Sequence, residues 1–328
     1  MAQMRIFTLL LVIVLTSFSC GTKPQWDEND FFEQAFGIIE DISIKKAEID
    51  WIDLKKIVRD SIPKFNNNED AYRAISYTVK LINDGHSMFI DPSTPNKLTS
   101  SAAVDSIPIP KVPTRIINDN IGYLKLKGFI ATYSKSKLYS NSIRKALDKV
   151  NESSDITGWI IDLRENSGGL HSMMPMGLAP LFEDSLIGYF VNNKGEYRTE
   201  YCTNEYFYFG SRKDSISSIS SWKNKSLPIA VLVSNKTVSS GESLASALRF
   251  QPKTKLFGSR TNGKTTTLEL FTFKSDAKLL LATQYICNKA KEPIYEGLNP
   301  DVECQPLEAL ELATNWINES HITGAKNP

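Results

Sequence analysis

Four short runs hold the residue types that covalent chemistry uses. In Val233-Ser234-Asn235-Lys236-Thr237-Val238-Ser239-Ser240-Gly241-Glu242, a buried apolar run gives way to a helical pattern with Ser239 at the junction. A serine there is presented at a helix N-terminus, where free amides and the dipole stabilise negative charge. Asp162-Leu163-Arg164-Glu165-Asn166-Ser167-Gly168-Gly169 ends in a glycine pair, which lets backbone amides approach a ligand without side-chain obstruction and suits an oxyanion hole. Gly258-Ser259-Arg260-Thr261-Asn262-Gly263-Lys264-Thr265 sets Lys264 directly after a glycine turn, and Asp84-Gly85-His86-Ser87 sets an imidazole after another. Each run has a structural alternative. Ser239 and Glu242 fit a capping box, paired glycines make tight turns, and a lone lysine is usually a solvated surface residue.

The flanking patterns show what must position these runs. Ile121–Leu126, Trp159–Leu163 and Ile229–Val233 are apolar runs of strand length, the last two without polar alternation, as in strands buried on both faces. Between them, residues 134–151 carry apolar positions at helical spacing, residues 170–183 are apolar and helical in pattern, and Ser243–Phe250 reads as a helix. Leu256-Phe257-Gly258 is expected to begin a strand, and Thr267–Phe273 with Lys278–Tyr285 reads as a hairpin. The alternation predicts a layered α/β domain with a largely parallel sheet and an added hairpin. Before it, Phe32, Phe36 and Ile39, then Leu54, Ile57 and Val58, then Ala71 to Ile82 form helical stripes. The last begins at the polar caps Asn66–Asn68 and stops at Asn83-Asp84-Gly85. The expected organisation is a tether and small N-terminal helical subdomain over 21–95, a Pro-rich connection over 96–118, a catalytic domain over 119–316 and a polar tail over 317–328.

Taken together, these motifs resemble the tail-specific, or carboxyl-terminal processing, serine peptidases and their tricorn-like relatives. Residues 162–169 match the family's Asp-Leu-Arg-x-Asn-x-Gly-Gly strand end, and Ser239 with Glu242 matches its nucleophile three residues before a Glu. Thr261-Asn262-Gly263-Lys264 matches Thr-x-Gly-Lys, 25 residues after the serine; Asp84–Ser87 matches Asp-x-His-Ser, and Gly297–Asp301 matches Gly-x-x-Pro-Asp. The resemblance spans residues 80–305. It implies a ClpP/crotonase-like layered core and hydrolysis of peptide bonds in a peptide or unfolded protein. Ser239 would be the nucleophile, with Gly168 or Gly169 and Ser240 donating amides to the oxyanion. For the base, the processing branch points to Lys264. The tricorn-like branch points to His86, assisted by Ser87 and with Glu296 as a candidate acid. A serine hydroxyl needs such a base. Lys264 would have to drop from about 10.4 to roughly 7–8, a shift of about 4 kcal/mol, whereas an imidazole titrates near 6.5 unaided. The spacing favours Lys264. Two departures stand out: a Pro-rich connection occupies the place of the processing peptidases' PDZ module, and Leu268 falls where their lysine-supporting Gln would be.

The chain has 328 residues with net charge +1, so no strong field favours nucleic acid. At the N-terminus, Arg5 precedes the apolar run Ile6–Leu15, too short to span a bilayer, and the segment closes on Thr16-Ser17-Phe18-Ser19-Cys20. This reads as a signal over residues 1–20 ending in a lipobox, with Phe18 in place of the usual small residue; a plain cleaved signal is the alternative. Lipidation at Cys20 would anchor the protein to a membrane in the cell envelope. Cys202, Cys287 and Cys304 have neither zinc spacing nor a basic turn and read as buried thiols. No metal or organic cofactor is implied. His171 lies on an apolar stretch and reads as packing. The rival from another class is a catalytically silent peptide-binding lipoprotein on the same fold.

Overall fold

A computed structural model describes residues 28–62, 64–92, 106–224, 226–273 and 275–324. Cys20 and the signal segment lie outside the described residues, as does part of the Pro-rich connection.

Two sheets share the work of the fold. The first has six strands in the order β13-β10-β9-β4-β3-β2. They are β2 (Thr114–Ile117), β3 (Ile121–Lys125), β4 (Gly158–Asp162), β9 (Ile229–Val233), β10 (Thr254–Gly258) and β13 (Val302–Glu303). All its pairings are parallel except β2 with β3. The second sheet is antiparallel throughout and has seven strands: β1 (Met88–Ile90), β5 (Leu186–Asn192), β6 (Tyr197–Cys202), β7 (Tyr206–Phe209), β8 (Arg212–Ser215), β11 (Thr266–Thr272) and β12 (Lys278–Cys287). The expected hairpin is therefore part of a sheet as large as the parallel one, and "largely parallel" describes only one of the two sheets. The meander β5–β8 was missed because its strands carry polar and aromatic residues on the same stretch, a weaker signal than the unbroken apolar runs. Two boundaries also move. The parallel sheet begins at β2, inside the stretch read as a connection, and β10 ends at Gly258 rather than starting near it.

The helices are α1 (Glu28–Ile42), α2 (Trp51–Ser61), α3 (Asn68–Ile82), α4 (Tyr133–Ser153), α5 (Met173–Leu178), α6 (Ser240–Arg249) and α7 (Ala309–Gly324). Alternation along β4 explains its unbroken apolar sequence. Trp159 and Ile161 face one core with Leu147 of α4 and Leu244 of α6, and Ile160 faces another with Ala313 and Ile317 of α7. α7 thus runs through the residues read as a polar tail, because Ile317 is needed to cover the second face of the sheet. The helical subdomain forms as expected, but it is not separate. Phe32, Phe36, Val58 and Ile75 share a core with Leu279 and Leu281 of β12. That packing, and the pairing of Met88 with Leu280, bring the N-terminal segment to the antiparallel sheet.

Candidate active site

The loops after β4, β9 and β10 leave the carboxyl ends of three adjacent parallel strands, so the sheet itself gathers them. Ligands of open α/β sheets bind at such ends. The first loop is anchored at its root. Asp162 is fully buried; burial opposes its ionisation, but hydrogen bonds from Arg164 (2.9 and 2.6 Å) and the Tyr123 hydroxyl (2.7 Å) hold its carboxyl below the ordinary range. At its far end the Gly168 amide donates to Asn166 Oδ1 at 3.0 Å, and the Gly168 carbonyl accepts from Phe129 N at 2.8 Å.

The loops are then stitched to one another. The Val238 amide donates to Asn166 O (2.9 Å), the Thr237 hydroxyl to Leu163 O (2.8 Å), the Asn262 amide to Thr237 O (3.0 Å) and the Ser240 hydroxyl to Gly169 O (2.7 Å). The Glu242 half of the Ser239–Glu242 capping box forms: Glu242 Oε2 accepts the Ser239 amide at 2.9 Å, while the Glu242 amide donates to the Ser239 carbonyl at 2.8 Å. The same carboxylate, fully buried, reaches further: its Oε1 accepts from the Thr261 hydroxyl at 2.6 Å and from the Gly263 amide at 2.8 Å. Glu242 therefore braces the turn of Ser239 directly to the turn of Lys264. Local sequence showed only the cap, since the second function needs a loop 19 residues away.

Ser239 itself has φ 55° and ψ −119°, a conformation that costs a non-glycine residue on the order of 1–3 kcal/mol. Such strained strand-to-helix turns expose a serine Oγ for attack. Gly168, at φ 92°, lies against it: a β-carbon there would stand 3.1 Å from Ser239 Cβ and 3.1 Å from Ser240 N, so a larger residue would press on Ser239. Among the described residues, neither the Gly169 amide nor the Ser240 amide has a hydrogen-bond partner, whereas the Gly168 amide is taken. Of the expected oxyanion donors, Gly169 and Ser240 are the two left available.

His86 is buried and enters from the other sheet. Its loop is held by Asp84, whose Oδ1 accepts the His86 and Ser87 amides at 2.9 and 2.7 Å. The Ser87 hydroxyl donates to Asp84 Oδ2 (2.5 Å) and accepts the Ala282 amide (2.8 Å). Ser87 thus fastens the loop to β12. His86 Nδ1 lies 2.7 Å from Thr266 Oγ1, at the first residue of β11, one position before the strand expected from residue 267. Burial, and next the nearby Lys264 ammonium, push the imidazole down to about 4, against the opposing pull of Asp84. Lys264 is half-buried beside this imidazole. Glu296 does not join them. Its carboxylate is 81% exposed and pairs with Arg260 at 2.7 Å; only its backbone approaches the site, packed against Gly263.

The strained Ser239 turn with its unpartnered neighbouring amides, the Lys264 turn braced to it by Glu242, and the buried His86 beside Thr266 thus lie along one linked set of loops on an α/β scaffold. This chain belongs to peptidase family S41, whose family model matches residues 120–304. It is 25% identical over 268 residues to the nisin-resistance protein of Lactococcus lactis subsp. lactis, covering 82% of this chain and 80% of that protein. It is 26% identical over 210 residues to the carboxy-terminal processing protease CtpA of Bacillus subtilis (strain 168), covering 63% of this chain but 40% of the protease. Among solved structures, a lipoprotein from Streptococcus agalactiae superposes with a TM-score of 0.72 at 18% identity, covering 92% of this chain and all of that one. The photosystem II D1 C-terminal processing protease superposes with a TM-score of 0.59 at 16% identity, covering 87% of this chain and 97% of that one. The structural likenesses show the fold, and the family rests on the match over residues 120–304.

Proposed function

We propose that this chain is an exported serine endopeptidase acting on peptides or unfolded protein segments, with Ser239 as nucleophile. The observation that carries the reading is the strained Ser239 turn packed on Gly168, with the amides of Gly169 and Ser240 open beside it. In this reading Ser239 Oγ attacks the scissile carbonyl, those two amides hold the oxyanion, and the base takes the hydroxyl proton and returns it to the leaving amine.

For the base, the geometry supports His86 more than the spacing did. With Nδ1–H donating to Thr266 Oγ1, Nε2 is the bare acceptor, and an imidazole lowered to about 4 is neutral at physiological pH. The second reading, Lys264 as base, is supported by the Glu242 brace, which ties Gly263 to the nucleophile's own turn. Cys20 is proposed as the lipidated residue that holds the protein in the cell envelope. Among the described residues no helix is long and apolar enough to cross a membrane.

The test is hydrolysis of a fluorogenic peptide library by the purified soluble chain, alongside labelling by a fluorophosphonate. Hydrolysis and labelling that vanish together in Ser239→Ala support the reading. A native chain that folds, binds peptides and neither hydrolyses nor labels would establish the silent scaffold instead. Release of a Cys20→Ala chain from the membrane fraction tests the anchor.

A further inference from the structure

His171 follows the glycine pair by two residues. Its ring does pack, making edge contacts with Phe190, Phe207 and Phe209 at centroid distances of 5.5, 5.6 and 5.5 Å. Packing is not its whole role. Its Nε2 lies 2.9 Å from Oε1 of Glu200, a residue of β6 that is 1% exposed. The two atoms meet at ion-pair distance without hydrogen-bond alignment, and neither has a hydrogen bond to any other described residue. The fold makes room for this carboxylate: Gly188 is its cross-strand partner, and a β-carbon there would stand 2.7 Å from Glu200 Oε2. A buried carboxylate without a partner costs several kcal/mol. The His171 side chain is 23% exposed, but its Nε2 and the facing Glu200 Oε1 are shielded from water, which strengthens whatever attraction the imidazole offers.

The segment that this pair holds is the one whose amide stands open. Gly168 O accepts from Phe129 N, which fixes the plane of the Gly168–Gly169 peptide. Because that peptide is planar and trans, its N–H must point the opposite way from the bonded carbonyl. Gly169 O is fixed in turn by Ser240 Oγ at 2.7 Å. Two glycines in succession have no side chains to hold them, so their geometry depends on anchors at both ends. Asn166 is the upstream anchor, and His171 is the first polar side chain downstream.

We propose that the Glu200–His171 pair positions the Gly169 amide as an oxyanion donor, tying the catalytic loop of the parallel sheet to the antiparallel one. His171 and Glu200 are positioning residues here; neither touches the reacting atoms. The inference rests on the serine-peptidase reading and deepens it.

The test compares His171→Phe, His171→Gln, Glu200→Gln and the double variant His171→Gln/Glu200→Gln by kcat and KM on a fluorogenic peptide, with melting curves and Ser239→Ala as control. Phe fills the aromatic cage without a donor; Gln supplies a donor near the place of Nε2. Removing an oxyanion donor outright lowers turnover about a hundredfold or more, so its misplacement is expected to lower kcat about tenfold. His171→Phe and Glu200→Gln should each show that loss with KM within about twofold, His171→Gln should stay near native, and the double variant should be no worse than Glu200→Gln alone. Native kcat in His171→Phe, or losses that add in the double variant, would overturn the pairing and leave only packing. A His171→Phe chain that fails to fold passes the decision to Glu200→Gln, which changes charge and not volume. Native protein without Ser239-dependent hydrolysis brings down the peptidase reading and this inference with it. Normal hydrolysis in every variant removes only the inference.

Discussion

The two halves of the candidate site are built differently. Ser239 and Gly168 stand on loops of one parallel sheet and Glu242 in the first turn of α6 that follows, held by a dense set of hydrogen bonds between neighbouring strand ends. His86 comes from a helical subdomain docked on the other sheet, and its link to the site passes through Thr266 and the Asp84–Ser87–Ala282 chain of bonds. The Ser239 half is over-determined and can store strain. The base half is a long-range assembly with few bonds, so it is where modest substitutions should move chemistry without moving the fold.

The largest effect is expected at Ser239, the proposed nucleophile. Ser239→Ala is expected to lower kcat by about 10⁴-fold or more, with thermal stability within about 1 kcal/mol of native, because the turn is held by backbone bonds. A stable Ala variant that retains turnover would show that the strain at this residue serves something else.

The base half comes next, and pH separates its two candidates. A base works deprotonated. An imidazole lowered to about 4 stays deprotonated well below neutrality, so with His86 as base kcat/KM should hold to about pH 5 and fall only as pH approaches 4. A lysine base, whose free amine titrates near 10.4, instead gives a rate that climbs through neutral and alkaline pH. His86→Ala should then cost about 10²–10⁴-fold in kcat, while Lys264→Ala costs clearly less. The reverse order, together with an alkaline limb, transfers the role to Lys264. The same shift has a stability consequence. The unfolded imidazole binds its proton near 6.5 and the folded one near 4, so folding stability should decline as pH falls through that window, and less so in His86→Gln.

This contrast also explains what could be read from the residues alone. Ser239 and Gly168–Gly169 were visible because each follows a strand that advertises itself as an apolar run, and parallel strands gather their carboxyl ends; Lys264 was visible only through its glycine turn and its spacing from Ser239. Thr266 was not visible: a threonine at the start of a strand looks like any β-former until His86, 180 residues earlier, is laid beside it. Glu200 was hidden for the same reason. A carboxylate on an alternating strand reads as solvent-facing, and only the gap at Gly188 and the ring of His171 reveal that it points inward. Local pattern carries periodicity and turn chemistry; it carries nothing about which distant strand will supply a partner.

Glu242 tests whether the two turns really move as one body. Its substitution by Ala strands the Ser239 and Gly263 amides and the Thr261 hydroxyl, three donors now held by one buried carboxylate. Hydrogen bonds to charged groups contribute about 1.5–3 kcal/mol each, and partial relaxation should leave a net destabilisation of roughly 2–4 kcal/mol. Glu242→Gln keeps an acceptor and should lose less. If the brace aligns nucleophile and Lys264, kcat falls in both variants even when assayed well below their melting temperatures. A melting shift with unchanged kcat would reduce Glu242 to a helix cap.

The finest probe is Thr266→Val, which keeps the shape of the side chain and deletes the hydroxyl next to His86 Nδ1. Because Val is a strand former, the fold should lose no more than about 1 kcal/mol. The imidazole, however, loses the contact that selects the tautomer with a bare Nε2, and an imidazole whose proton sits on Nε2 cannot accept one from Ser239. With His86 as base, kcat should fall about tenfold with KM little changed, and Thr266→Ser should restore it. With Lys264 as base, the tautomer of His86 is irrelevant and Thr266→Val should turn over at the native rate. The smallest substitution therefore asks the sharpest question of the site: whether the long-range half of the assembly contributes an orientation or merely a wall.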